Sequence, residues 1–198
     1  MAYPEVKMKT VIEPEIVMDV REAIRRRKAV RSYKPQPVLR AVINTLLSAA
    51  IQTPTATQEE PWAFAVIQDK ALLEQLSGSV KRATDSATLA RLSDYFIQQD
   101  FNIFYNAETL IVVYGRPIGR SVEAECWLAA ENLILTASSM RLGTCVIELA
   151  IQTLNTPEWK DKLGIDVDMK AYVSLTVGVP DVEILPVLRK GPEIVVWK

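Results

Sequence analysis

Apolar residues along this chain recur at two different spacings. Val38, Val42, Ile43, Leu46, Leu47 and Ala50 return every three or four positions, which predicts an amphipathic helix over residues 37–51 with Pro37 in its first turn. A shorter helix is expected before it, over residues 20–29. Asp19 stands at its N-cap position, Glu22 stands three residues on for a reciprocal capping box, and Val20, Ala23 and Ile24 give an apolar face. Its last turn is Arg25-Arg26-Arg27-Lys28, cations placed where a helix dipole is negative. A polar, proline-bounded loop follows at residues 53–61. A strand is expected over 62–67, and Asp69 caps a short helix through Leu76. Residues 77–94 are polar and weakly periodic, which fits a mobile segment as well as a helix covering a site.

The second half is more apolar. Residues 109–114 (TLIVVY) read as a buried strand bounded by Gly115 and Pro117. Ser121 is placed to cap a long helix over 122–142, with Gly143 in the C-terminal cap position. That helix is apolar on two flanks. Trp127, Ala130, Ile134 and Ala137 form one, and Cys126, Ala129, Leu133 and Met140 the other. Such a helix packs against a sheet and other helices, and one of those neighbours is open to being a second subunit. Residues 144–147 form a short apolar run, and Thr156-Pro157-Glu158 opens a helix ending at Leu163-Gly164. Strands are expected over 172–179 and 194–197, the latter an apolar segment suited to pairing with a sheet edge, that of a partner included. Helices come first, then strands alternate irregularly with helices, so the expected class is α+β rather than a doubly wound fold.

Composition narrows the function more than the fold. The chain has 198 residues, 49% hydrophobic and 24% charged, enough for one substantial core. An N-terminal arm over residues 1–18 and a single domain over 19–198 are expected. A net charge of −1 gives no reason to expect nucleic acid or an anionic membrane as partner. Pro4, Glu5, Lys7, Lys9, Glu13 and Glu15 interrupt the apolar positions of the arm, so a signal peptide or spanning segment is not expected and the cytoplasm is. There is no histidine, which removes Ser-His-Asp and Cys-His catalysis and histidine-based metal sites. The two cysteines, Cys126 and Cys145, form no CxxC pair and are expected to be buried free thiols. A cofactor is therefore expected to carry any difficult chemistry.

Four segments offer binding chemistry. Arg25 to Lys28 with Arg31 can clamp a phosphate through charge-assisted hydrogen bonds, or can be a solvated cationic helix end. Pro54 to Trp62 (PTATQEEPW) presents hydroxyl and amide groups suited to the heteroatom edge of a flat ring, or is a plain connection into a strand. Gly143 to Glu148 offers backbone N–H groups to a ring nitrogen, or is a helix cap and an edge strand. Arg189-Lys190 is a second phosphate contact or a polar loop. No GxGxxG or P-loop pattern occurs, so a nicotinamide nucleotide would be a transient visitor rather than a resident.

In their order, these segments resemble the nitroreductase family over nearly all of residues 19–197. AIRRRKAVRSY is similar to the family's RRSxR signature, and PTATQEEPWAF to its PSxxNxQPWxF. ECWLAAENLILTASSMRLGTC is similar to the long central helix and its glycine-ended cap. The resemblance implies a three-layer α/β/α sandwich with a central, mostly antiparallel sheet, in an intertwined homodimer with shared active sites. It implies a flavin mononucleotide (FMN) whose phosphate and ribityl chain are held by Arg27, Lys28 and Arg31, with Ala29 where a serine is usual. Arg189 is implied near the phosphate, and Val146, Ile147 and Glu148 beside the isoalloxazine with a backbone N–H toward N5. Pro54, Thr55 and Gln58 would contact flavin bound mainly by the other subunit, Glu60 standing where a glutamine is usual. EIVVW would be a strand exchanged between subunits. The implied reaction is ping-pong hydride transfer from NAD(P)H to a nitro compound, quinone or similar small-molecule acceptor, with residues 77–100 shaping the acceptor pocket. A flavin-binding dimeric module with low turnover, and a specialised dehydrogenase or flavin-processing branch, are the alternatives left open by Ala29, Gln58 and Glu60.

Overall fold

Strand β2 (Leu110–Gly115) is buried along its whole length, and a strand buried on both faces needs a helical layer on each. In the computed structural model, which describes residues 18–56, 59–85, 88, 101–183 and 187–198, β2 lies between β1 (Trp62–Ile67) and β4 (Lys170–Gly178). With β3 (Gly143–Val146) the sheet order is β1-β2-β4-β3, and each pairing is antiparallel. Ile111 and Val113 face a layer built from α2 (Arg40–Ala50) and α4 (Val122–Ser139), where they meet Leu46, Leu133, Val173 and Leu175. Leu110, Val112 and Tyr114 face α3 (Lys70–Ala83), α5 (Ala150–Leu154) and α6 (Pro157–Leu163), where Leu76, Leu154 and Trp159 close the second core. Each fully buried leucine of this kind stabilises the fold by roughly 1.5–3 kcal/mol. The result is the three-layer α+β sandwich that the resemblance implied. Among the described residues, no helix is long and apolar enough to cross a membrane.

Several expected elements are present with shifted bounds, each for a local reason. Helix α1 (Val20–Arg26) has Asp19 as its N-cap, accepting from the Glu22 N–H at 2.9 Å. The Glu22 carboxylate does not complete the capping box. It takes up Arg25 and Arg26 instead. The helix ends at Arg26 rather than 29 because Arg27 turns extended (φ −54°, ψ 123°), freeing the next residues to join the sheet. Of its expected apolar face only Ala23 is buried, while Val20 and Ile24 are more than half exposed. Helix α2 starts at Arg40, not 37, because Val38 is buried in extended chain and its carbonyl accepts from Gln68 Nε2 at 2.8 Å. Helix α3 runs on to Ala83, well past Leu76, since Leu73, Leu76, Ser77 and Val80 form one buried stripe. Short helix α5 has no counterpart in the expectations. The Thr156 cap accepts from the Trp159 N–H, and Gly164 ends α6 in the left-handed region at φ 66°, as expected.

The end of α4 corrects the reading of Gly143. The left-handed residue is Arg141, at φ 60°. Its N–H reaches the Ser138 carbonyl at 3.0 Å and the Leu142 N–H reaches that of Ala137 at 2.8 Å, the pair of bonds that makes a Schellman motif. Gly143 belongs to β3, and a Cβ there would lie 2.8 Å from three carbons of the Val30 side chain. Its smallness serves close packing and not the cap. Residues 194–197 form no strand with the described sheet, and Ile194, Val195, Val196 and Trp197 are all exposed. Cys126 and Cys145 are buried free thiols, as expected. The arm over 1–17, most of 86–100 and the expectations attached to them lie outside the described residues.

Candidate functional site

The chain leaving α1 forms a strap along the edge of the sheet. Ala29 pairs with Thr144 in a parallel bridge, and the Val30 N–H donates to the Thr144 carbonyl at 2.9 Å. Tyr33 bridges Pro180, the Lys34 N–H donates to Val179 at 2.9 Å, and the Asp181 N–H donates back to Ser32 at 3.0 Å. The buried Tyr33 hydroxyl donates to the Val30 carbonyl at 2.7 Å and lies 2.8 Å from Thr176 Oγ1, which locks the strap to β4 as well. Burial pushes the Tyr33 hydroxyl well up, the Thr176 contact working the other way. Half-buried Arg27 and Lys28, exposed Ala29 and exposed Arg31 are thereby carried to the open side of β3.

Strand β3 answers with its free edge. Its pairing with β4 continues past the strand end, where the Ile147 N–H donates to the Ser174 carbonyl at 2.8 Å and Ser174 Oγ donates to the Ile147 carbonyl at 2.7 Å. Antiparallel ladders alternate, so the Val146 N–H points away from β4, to the same side as the Thr144 carbonyl that receives the strap. Among Val146, Ile147 and Glu148, the Ile147 N–H is thus committed to the sheet and that of Val146 faces outward. Ile147 is buried, Glu148 is exposed, and the Val146 side chain is 37% exposed. The structure brings the first and third sequence motifs together at this edge.

One residue outside every motif, Tyr105, completes this corner. Arg31 Cζ stands over the Tyr105 ring, 5.9 Å from its centroid. Burial pushes the Tyr105 hydroxyl up, with Cys145 adding to the shift and Arg31 opposing it. Burial likewise raises the Cys145 thiol, against the pull of Arg31. Tyr105 carried no sequence signal beyond its place among the aromatic residues Phe101, Phe104 and Tyr105.

The loop of the second motif is anchored elsewhere. Thr53 Oγ1 donates to the Ala50 carbonyl at 2.9 Å and accepts from Asn132 Nδ2 at 3.1 Å. The Ala56 N–H donates to Oε1 of the buried Glu125 at 2.8 Å. Both side-chain anchors stand on α4, whose other end holds α1 through Ser138 Oγ, which donates to the Ala23 carbonyl at 3.0 Å. Glu125 and Ser138 are thirteen residues apart, about 20 Å along a helix axis. The anchor of Ala56 and the anchor of α1 thus stand towards opposite ends of α4. Gln58 lies outside the described residues, and Glu60 is exposed. Arg189 is exposed in the terminal segment.

Known proteins share this fold. A nitroreductase from Bacteroides fragilis, crystallised with bound FMN, superposes with a TM-score of 0.79 at 24% identity, covering 91% of this chain and 100% of that one. A protein of Methanothermobacter thermautotrophicus named NADH dehydrogenase/NAD(P)H nitroreductase is 26% identical over 138 residues, 64% of this chain and 59% of that protein's length. The iodotyrosine deiodinase of Thermotoga neapolitana is 24% identical over 174 residues, 79% of this chain and 86% of that one. The model of the nitroreductase family matches residues 24–179, which take in the strap, the loop, the sheet and the long helix, and the chain belongs to that family.

Proposed function

We propose that this chain is an FMN-dependent oxidoreductase that takes reducing equivalents from NADH or NADPH and passes them to a nitro compound, a quinone or a similar small acceptor. The observation that carries the reading is the strap. It sets Arg27, Lys28 and Arg31 beside a strand edge with an outward N–H and a part-exposed valine. That set fits an anionic group joined to a flat ring. Arg27 and Lys28, with Arg189, would bind the FMN phosphate by charge-assisted hydrogen bonds. Arg31 would meet the ribityl chain and ring edge, and the Val146 N–H would donate to a ring nitrogen, with Ile147 and Glu148 bordering the same face. When bound, FMN supplies a two-electron carrier between the nicotinamide donor and the acceptor. The protein's share is orientation and fixed dipoles, which needs no acid–base side chain and agrees with a chain free of histidine.

The working form in this reading is a homodimer. In this reading the loop with Pro54, Thr55 and Gln58 serves the strap of a second copy, which fits the anchoring of Ala56 at Glu125, about 20 Å along α4 from the Ser138 that holds α1. Apolar surface supports the same reading. Trp127 and Leu128 on α4 and Val195 and Trp197 in the terminal segment are all well exposed in one chain. A dimer mass by sedimentation equilibrium is expected, and a monomer that holds FMN tightly would sink the shared-site reading.

Recombinant protein should be yellow and release FMN on denaturation, and it should consume NADH or NADPH once an acceptor is added. Colourless protein that takes up no added FMN would overturn the reading. Arg31→Ala should weaken FMN binding by roughly 1.5–3 kcal/mol, the usual worth of a hydrogen bond to a charged group, measured by flavin fluorescence titration. The deiodinase relative motivates a second reading, a branch of the family with another acceptor. Iodide release from a reduced flavoprotein given an iodophenol, in place of turnover with nitro compounds or quinones, would select it.

A further inference from the structure

An exposed arginine is a poor clamp unless something holds it, because a long side chain must surrender its rotamer freedom on binding. Arg31 is such a residue, and what it touches is Tyr105. Tyr105 sits in an unusual stretch of backbone. It and Asn106 follow one another in the left-handed region, at φ 55° and 57°, a conformation uncommon for residues other than glycine. The surrounding bonds enforce it. The Ile103 N–H donates to Ser77 Oγ at 3.1 Å, the Phe104 N–H to Asn102 Oδ1 at 2.8 Å, and the Ala107 N–H to the Phe104 carbonyl at 3.0 Å. The turn sends the Tyr105 ring back onto the strap, against the buried group of Val30, Tyr33 and Ala107, with Phe101 edge-on at 5.4 Å. Its face then lies under the Arg31 guanidinium.

We propose that Tyr105 is a positioning residue, whose ring holds the Arg31 guanidinium in the orientation in which it meets the cofactor. The proposal rests on the reading that Arg31 contacts FMN. Cation–π attraction keeps the guanidinium over the ring face, which limits the rotamers open to the arginine side chain. The strained turn is thereby given a use, since strain that a surrounding structure maintains is commonly found at sites that need a group held still.

The test is a double-mutant cycle on the full-length protein, reading the FMN dissociation constant by flavin fluorescence and the thermal midpoint beside it. Tyr105→Leu is expected to weaken FMN binding about tenfold when Arg31 is present, and less than about twofold in the Arg31→Ala background. Tyr105→Phe keeps the ring and should bind FMN within about twofold of the wild type. Equal losses in both backgrounds would overturn the proposal, because Tyr105 would then act through the fold. Should Tyr105→Leu not fold, the same comparison with Tyr105→Met, which also removes the ring, decides. An Arg31→Ala protein that binds FMN as the wild type does removes Arg31 from the site and the proposal with it. Failure of the wild type to take up FMN marks the failure of the broader reading instead.

Discussion

The strap and the loop carry the two halves of the proposed site, and they are fastened by different means. The strap joins β3 and β4 through backbone bonds, Val30 to Thr144 and Lys34 to Val179, so its position depends little on the side chains that do the binding. The loop hangs from two side chains of α4, Asn132 on Thr53 and Glu125 on Ala56. Its position is therefore set by residues that touch no ligand. The difference teaches where each half is vulnerable: the strap to anything that pushes it off the sheet edge, the loop to the loss of one anchor.

The largest effect is expected from pushing. Gly143→Val places its Cβ 2.8 Å from the Val30 side chain, in a contact with no room to yield. A loss of about 3 kcal/mol in urea unfolding is expected, at the upper end of ordinary overpacking costs. Adding Val30→Ala should recover part of that loss, because the two substitutions share one contact. An unchanged urea midpoint for Gly143→Val would mean that the strap does not lie where it is drawn.

Removing an anchor should cost somewhat less. Glu125→Ala leaves the Ala56 N–H without its acceptor and is expected to cost about 1–3 kcal/mol. Glu125→Gln keeps an oxygen for that N–H and should recover most of it. If the loop serves the partner's flavin, Glu125→Ala should also weaken FMN binding while Arg31 is intact. A stability loss with no change in FMN affinity would separate the anchor from the site.

The strap has a polar lock of its own in Tyr33. Tyr33→Phe removes its bond to the Val30 carbonyl and should cost about 1 kcal/mol. The same hydroxyl gives a pH signature. Its pKa is raised in the folded chain, chiefly by burial, so the folded state holds the proton more tightly than the unfolded one. Stability is then full below the ordinary tyrosine range of about 10 and falls as pH rises above it. Tyr114 and Cys126, both pushed up to about 12 by burial, act in the same direction, the thiol beginning near its lower ordinary value. Urea midpoints should decline above about pH 9, and less steeply in Tyr33→Phe. A flat profile would contradict the burial of all three.

What could be read from the sequence follows the range of the interaction. Local signals were legible: the Asp19 and Thr156 caps, the Gly164 stop and the bounds of β1 all depend on residues within a few positions of one another. The extension of α3 was hidden because Ser77 occupies an apolar stripe, and only its bond to the distant Ile103 N–H accounts for it. Gly143 looked like a cap because nothing local announces Val30 across from it. The candidate site divides in the same way. The cations of the strap were visible as a motif, but Tyr105 and Glu125 act across 74 and 69 residues and left no pattern to find.

Between strap and loop lies the corner that turns α4 into β3, and it sets how the two fastenings are related. Arg141 turns it in the left-handed region, where a side chain costs roughly 1 kcal/mol and glycine almost nothing. The Schellman bonds from Arg141 and Leu142 use backbone alone, so Arg141→Gly keeps them. Relief of strain then competes with the greater freedom that glycine gives the unfolded chain, a cost of roughly 0.4–1 kcal/mol. A small net gain of about 0.5 kcal/mol is expected in urea unfolding, with FMN affinity unchanged, because the corner keeps its geometry. Stabilisation accompanied by weaker FMN binding would instead show that the Arg141 side chain belongs to the site, adding a further cation to those of the strap and Arg189.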